Sequence, residues 1–501
     1  MITSSLPLSH GVSRELLELR ARAVDLERQL TTGQKAETYA NLGAAARMAS
    51  LSLRSRVSAL EGFQTSIQTV GIRIDAISSH LTRLRDLGAE TRSDALVAQY
   101  DPVNGNQSPL QVGAKHSLNE AISLLNFQLD GHYYFAGRDG ETKPVRSADE
   151  ILNGAGAQAG LKQVISERRQ ADLGADGLGR LVIPTPVGGV ASLSEDVDGS
   201  PFGLKIETVT GSFTGAIVTG PAGSPAAVDV TFTSTLPQDG ETISISLTLP
   251  DGTSTTVELT ARSSGPIGPG EFGAVVDEDV TASNFQIALT AAIETVANTK
   301  LHAASAFAAA DGFFNYDSTT PPQRVDGPPF DSATGLRDAT ATDTVFWYKG
   351  DNGPGNPRDG SVVRVDDNLT VGYGVRANEE PISKLVSTLA VLAVETFDPA
   401  GSNSKEQFLE MRDRASLKLA YDDGRPSLED INTEIGYTHK ALEDTRARHD
   451  TAMNVALSFL SDAEEADPYE VTAALLQVQN QLEASYQVAA MLSNLSLVKF
   501  L

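Results

Sequence analysis

The feature that most limits what this chain can fold into is where its prolines lie. None of the 23 falls between Pro7 and Pro102 or after Pro468, whereas 17 lie from Pro144 to Pro381. Inside a helix a proline removes a backbone donor and collides with the preceding turn, a penalty of about 3 kcal/mol or more. The distribution predicts long helices towards both ends and a middle rich in loops and strands.

Apolar spacing points the same way. Val12, Leu16, Leu19, Ala23, Leu26 and Leu30 step by 4, 3, 4, 3, 4, the interval of a helical seam, with Arg and Glu on the other faces. "LTTGQKAETYANLGAAARMASL" interrupts that seam with Gly33 and Gly43, and the pattern resumes through Leu53, Val57, Leu60, Ile67, Ile74, Ile77, Leu81 and Leu84. A third helix is expected through Ala114, Leu118, Ile122, Leu125 and Leu129. Later, "PISKLVSTLAVLAVETF" is opened by Pro381, and Ser427 with Asp430 makes a helix start. "SDAEEADPY" breaks the next seam, and Pro468 is expected to begin a last helix. Along it Val471, Leu475, Val478, Leu482, Tyr486, Ala489 and Leu492 continue the stripe, with Leu495 beyond. Apolar seams with no cap beyond them leave surface that a lone chain struggles to cover, so these residues are the candidate assembly interface.

In the middle, "DVTFTSTL", "TISISLTLP" and "TSTTVELTA" alternate β-branched with polar residues, and Pro250-Asp251-Gly252 links the last two as a hairpin. "TASNFQIALTAAIETVANTKLHAASAFAAA" follows as a helix against that sheet, weaker where it becomes alanine-rich. Residues 196–304 thus read as an inserted ββα-like module. The fold class expected is α+β: a long antiparallel coiled-coil or bundle rod formed by both termini, with inserted β-rich outer domains.

Composition excludes much chemistry. A chain of 501 residues has room for several domains. With no cysteine there is no disulfide framework, thiolate metal site or cysteine nucleophile. A net charge of −26 disfavours nucleic acid and anionic membranes as partners. Residues 1–92 carry 12 Lys and Arg against 9 Asp and Glu, whereas residues 461–501 carry one lysine against six acids, so the ends attract weakly. No apolar run approaches the roughly 18 residues of a membrane span, and "MITSSLPLSHGVSRELLEL" lacks the parts of a cleaved signal peptide. There is no HExxH, GxSxG or Walker loop, so no catalytic, metal or cofactor residue is expected. "GAGAQA" at 154–159 fits a dinucleotide pattern loosely but follows "SADEILN", which is no strand, and reads as a turn. His449 falls on a helical seam and reads as a packed core histidine.

Four segments carry a resemblance. In "LTTGQKAETYANLGAAARMASLSLR", Gly33, Lys35 and Ala44 to Arg47 match a pattern "SGK" followed by "SDDPxAAA", with "YANLG" replacing "PSDDP". "LNFQLDGHYYFAGRDGETKPV" is similar to "LNxxxxGxYxFAGxxxxxxPF", and "FWYKGDNG" with "LTVGYGVRANEE" to "YxGD" and "VxYGVxA". "LEASYQ" and "LSLVKFL" are similar to a terminal helix. Over residues 10–140 and 340–501 the chain resembles the flagellin superfamily, and within it the hook-filament junction, or type 3 hook-associated, family. True flagellins usually end in a glutamine-rich helix closing on "LLxLFxx".

The resemblance implies a non-enzymatic structural subunit of the bacterial flagellum, extracellular and exported unfolded without a cleaved signal peptide. Implied partners are identical subunits in a ring, the adjacent hook-associated protein, flagellin and an export chaperone. Residues 1–45 would be an N-terminal axial helix pairing with 462–501. Residues 46–136 would pair with 380–461 as a helical rod, and 137–195 with 305–379 would form a β-rich outer domain. Two alternatives stand beside it: flagellin itself, and an enzyme or sugar-binding module carried on the insert.

Overall fold

The computed structural model describes residues 6–102, 107–422 and 424–498, with helical side chains from Ser13 to Met491. The fold is mixed α+β, with long terminal helices and central β-sheets. Along the chain come α1 (Leu6–Thr32), α2 (Ala44–Val97), α3 (Pro109–Leu125), the short strands β1 (Gln128–Leu129) and β2 (His132–Tyr133), α4 (Ala148–Asn153) and α5 (Leu161–Leu173). Strands β3 (Leu181–Val182), β4 (Val190–Glu195), β5 (Lys205–Gly211), β6 (Ala216–Ala222), β7 (Ala227–Phe232), β8 (Thr242–Thr248), β9 (Ser254–Arg262) and β10 (Glu271–Gly273) follow. Next are α6 (Glu278–Val296), a π turn at Ala297–Leu301, α7 (His302–Phe314), and the pairs β11 (Gln323–Val325) with β12 (Leu336–Asp338) and β13 (Val362–Asp366) with β14 (Leu369–Gly372). The chain closes with α8 (Glu380–Val394), α9 (Ser404–Lys418), α10 (Leu428–Glu464) and α11 (Pro468–Val498).

Two compact units divide these elements. One comprises the residues up to Ile72, Val363–Val371 and those from His439 on; the other comprises Arg73–Val362 and Gly372–Thr438. In the first, α1 packs antiparallel to α11, and Val57, Leu60, Ile67 and Val70 of α2 are buried, as are Leu442 and His449 of α10. His449 Nε2 lies 3.4 Å from the Asp366 carboxylate, and its ring centroid is 5.8 Å from that of Phe63.

The second unit holds the central sheets and a helical core. Sheet order β10-β9-β8-β5 is antiparallel except for the β9–β10 pair, and β3-β4-β7-β6 is antiparallel throughout. Ile243, Ile245 and Leu247 are buried while the intervening residues of β8 are not, the period of a strand with one covered face. The β8–β9 turn closes with Gly252 at φ +79 donating to Leu249 O at 2.9 Å. Helix α6 covers both sheets, and Phe213, Phe232, Phe272 and Phe285 meet with centroids 5.2 to 6.2 Å apart.

This module departs from the ββα insert expected at 196–304. Its apolar cluster already includes Leu181, Ala191 and Leu193, so β3 and β4 belong to it. The alanine-rich run is not weak helix either. Ala303, Ala304, Ala306, Ala309 and Ala310 are buried, because methyl side chains let α7 approach α5, α8 and α9 closely. Helix α7 therefore joins the module's core through Ala304 and ends among Phe313, Phe314 and Trp347. The regions 137–195 and 305–379, expected as β-rich, hold α4, α5 and most of α7 beside short strands. Apolar and basic residues alternate closely in "LKQVISERRQADL", and the buried pair Arg168–Asp172 at 2.9 Å hides its helical stripe from a reading of hydrophobic residues alone.

Candidate assembly surface

The break that opens after Leu30 is a built junction. Helix α1 ends at Gly33, whose φ of +70 suits a residue without Cβ and whose N–H donates to Gln29 O at 2.8 Å. Residues 34 and 465 then form an antiparallel bridge: Lys35 N–H donates to Glu464 O and Ala466 N–H to Gly33 O, both at 2.8 Å. Lys35 Nζ adds a bond to Asp462 O. The Glu464 carboxylate accepts from Ser50 Oγ and from Arg54 at 2.9 and 2.6 Å. The breaks at 33–43 and 461–468 are thus joined to each other.

Between them and the ends runs an inner seam. Leu26, Ala466, Val471 and Val478 are buried together, with Leu19, Ala23, Leu475 and Leu482 half-buried around them. Leu16 is also half-buried, and Leu30 is exposed. Tyr486 is exposed, its hydroxyl accepting from Arg20 Nε at 2.7 Å with the guanidinium 5.6 Å from the ring centroid. Of the interface residues expected from sequence, Val12, Leu492 and Leu495 lie outside the described side chains. Leu19, Leu26, Val471, Leu475, Val478 and Leu482 pack together within the same chain, and Tyr486 meets Arg20.

What stays open is a second set of residues. Leu17 and Val24 on α1 are 66% and 65% exposed, and Tyr469 and Leu476 on α11 are 87% and 57% exposed. Each pair is seven positions apart, two helical turns on one face. Met48 and Leu51 on α2, and Val455 and Phe459 on α10, are exposed at helical spacing in the same unit. These residues lie off the 3-4 stripe of the inner seam, in a second register in which Leu17 and Val24, and Tyr469 and Leu476, stand seven positions apart.

In the second unit three further segments meet. Ala136 and Arg376 form an antiparallel bridge, Asp351 N–H donates to Ala136 O at 2.8 Å, and Ala377 N–H donates to Phe135 O at 2.9 Å. The Arg376 guanidinium holds the Asp351 carboxylate at 2.8 Å. Gly137 has φ +65, and a Cβ there would lie 2.8 Å from that of Asp351. "FAG", "YKGD" and "YGVRA" are therefore one knot.

Among the described residues no group of three or more His, Asp or Glu side chains could hold a metal ion, and no helix is long and apolar enough to cross a membrane. Burial and the nearby Arg169 press the His302 imidazole down to about 2, which keeps it neutral in the core. No protein-family model matches the chain, and no curated protein is significantly similar to it.

Proposed function

We propose that the chain is a non-enzymatic structural subunit of the bacterial flagellum, lying outside the cell between hook and filament. The observation that carries this reading is the first unit's surface: helices whose inner seam is already satisfied within the chain bear a second, exposed apolar repeat. Scattered exposed apolar residues are ordinary, but a repeat at period seven fits the packing of helices from neighbouring copies. The meeting of "FAG", "YKGD" and "YGVRA" adds support, since those segments carry the resemblance to the junction family.

In this reading the two termini form a coiled-coil-like rod at the axis of a tube. Leu19, Leu26, Val471, Leu475, Val478 and Leu482 hold the pair in register, while Leu17, Val24, Tyr469 and Leu476 meet the neighbours. Partners are identical subunits, the adjacent hook-associated protein, flagellin and an export chaperone, and export proceeds without a cleaved signal peptide. The second reading, flagellin itself, fits less well with the "LEASYQ" and "LSLVKFL" ending.

Deleting the gene tests the proposal. Intact hooks without filaments, with flagellin lost to the medium, are expected. Normal filaments on the deletion strain would overturn it, and loss of filament mass with the junction still present would favour flagellin. Finding the protein in purified hook-basal bodies that lack filaments separates the two directly.

A further inference from the structure

The second unit contains a hollow that the assembly reading leaves unused. It has a volume of about 560 Å³ and lies among residues 85–96 of α2, the start of α8, and the end of α9 with the segment that follows it. Its wall is largely apolar, through Ala89, Leu96, Leu385, Leu419, Tyr421 and Leu428. A second, more polar hollow of about 380 Å³ shares Lys384, Lys418 and Arg425 with it. Three cations therefore stand where an apolar space gives way to a polar one.

The charge balance of the wall is the reverse of the chain's. Five basic residues (Arg85, Arg92, Lys384, Lys418, Arg425) line the larger hollow against two acidic ones (Asp422, Glu429), in a protein of net charge −26. Most of these cations have partners: Lys418 Nζ is 2.6 and 2.8 Å from the Asp311 carboxylate, and Arg425 is 3.7 Å from Asp422 and 3.8 Å from Glu380. Among the described residues, Lys384 Nζ has no hydrogen bond and no carboxylate within ion-pair distance. Burial, and then the neighbouring Arg425, hold its ammonium below the usual lysine range. Asp422 and Glu380 act on this ammonium from beyond ion-pair distance, so a half-buried cation at the mouth of an apolar hollow has flanking acids but no direct partner.

We propose that this hollow binds a small amphiphilic anion: an aliphatic or aromatic body in the larger space, with a single carboxylate against Lys384. A volume of this size is that of small-molecule sites, which combine apolar walls with a few placed polar groups. The apolar floor selects for the body, and the Lys384–Lys418–Arg425 junction selects for the sign and place of the head. The site is independent of the assembly surface and stands or falls separately from it.

Calorimetric titration of the full chain with decanoate, below its micellar threshold, tests this. One saturable site per chain is expected, and decyltrimethylammonium, which has the same tail and the opposite charge, should not occupy it. Lys384→Glu should weaken decanoate binding by about tenfold or more, the scale of one lost charge-assisted contact. Lys384→Arg should retain it. Ala89→Trp fills the hollow from an exposed position, so it should abolish binding while leaving the melting temperature unchanged. Absence of saturable binding, equal binding of the cationic amphiphile, or undiminished decanoate binding by both Lys384→Glu and Ala89→Trp would overturn the proposal.

Discussion

Glu464 shows how much one side chain holds at the meeting of the two breaks. Hydrogen bonds from Arg54, and then from Ser50, outweigh burial and keep its carboxyl below the ordinary 4.5. A group whose folded pKa is depressed contributes stability above its unfolded value, and that contribution is lost as pH falls through the folded one. Glu464→Gln should therefore remove an acid-sensitive component of the first unit's stability below about pH 4.5, and cost about 1 to 2 kcal/mol at neutral pH. Proteolysis of the α1 end at pH 4 and pH 7 measures both. In the other unit, Gly137→Ala should destabilise by about 1 to 3 kcal/mol, since it combines a left-handed φ with a Cβ placed 2.8 Å from Asp351 Cβ. Thermal melting reads that loss. Gly33 was visible in the sequence as a break, but the role of Glu464 across the junction was not: an acid in an acidic run gives no sign that it will be buttressed by residues 414 and 410 positions away.

Among elements, the α1–α11 pair is long but thinly buried. Leu26, Ala466, Val471 and Val478 make its covered centre, and burying an aliphatic side chain stabilises by about 1.5 to 3 kcal/mol. Val478→Asp should separate the two helices and expose both ends to limited proteolysis, while the melt of the second unit stays unchanged; protection of both ends in that variant would contradict this. Helix positions were legible because their signals are local: Pro468 and Pro381 at helix starts, and Ser427 with Asp430 exchanging bonds at 2.8 and 3.2 Å. The inner seam was legible too. Which helix would cover it was not, since periodicity gives a face and no partner. Strands β3, β4 and β6 escaped because "LVIPTPVGGVASLSE" and "AIVTGPA" break their alternation with glycine and proline.

For the whole molecule, module borders follow helix continuity more than composition. The helix that runs through α6, the π turn and α7 serves the module's core at one end and the Trp347 region at the other. Replacing 196–304 with a short Gly/Ser linker would cut it and strip β4 of its partner β7. Excision of 181–300 is gentler, because a Cβ on Gly179 would touch Leu301 at 3.0 Å, so the cut ends already lie side by side. The 181–300 deletion should keep a cooperative melt and the 196–304 deletion should lose it, as followed by calorimetry.

The contact between Arg20 and Tyr486 joins positions 466 apart in the chain. Closing a flexible loop of that length costs about 5 kcal/mol of chain entropy, more than so thin a seam returns at the outset. Once residues 73–438 have folded, most of that loop is already drawn in and the remaining closure is small. The terminal pair is therefore expected to zip last when the chain folds and to open first when it unfolds. A time-resolved hydrogen-exchange pulse during refolding should protect the amides of α8 before those of α1 and α11, and protection in the opposite order would contradict this sequence of events.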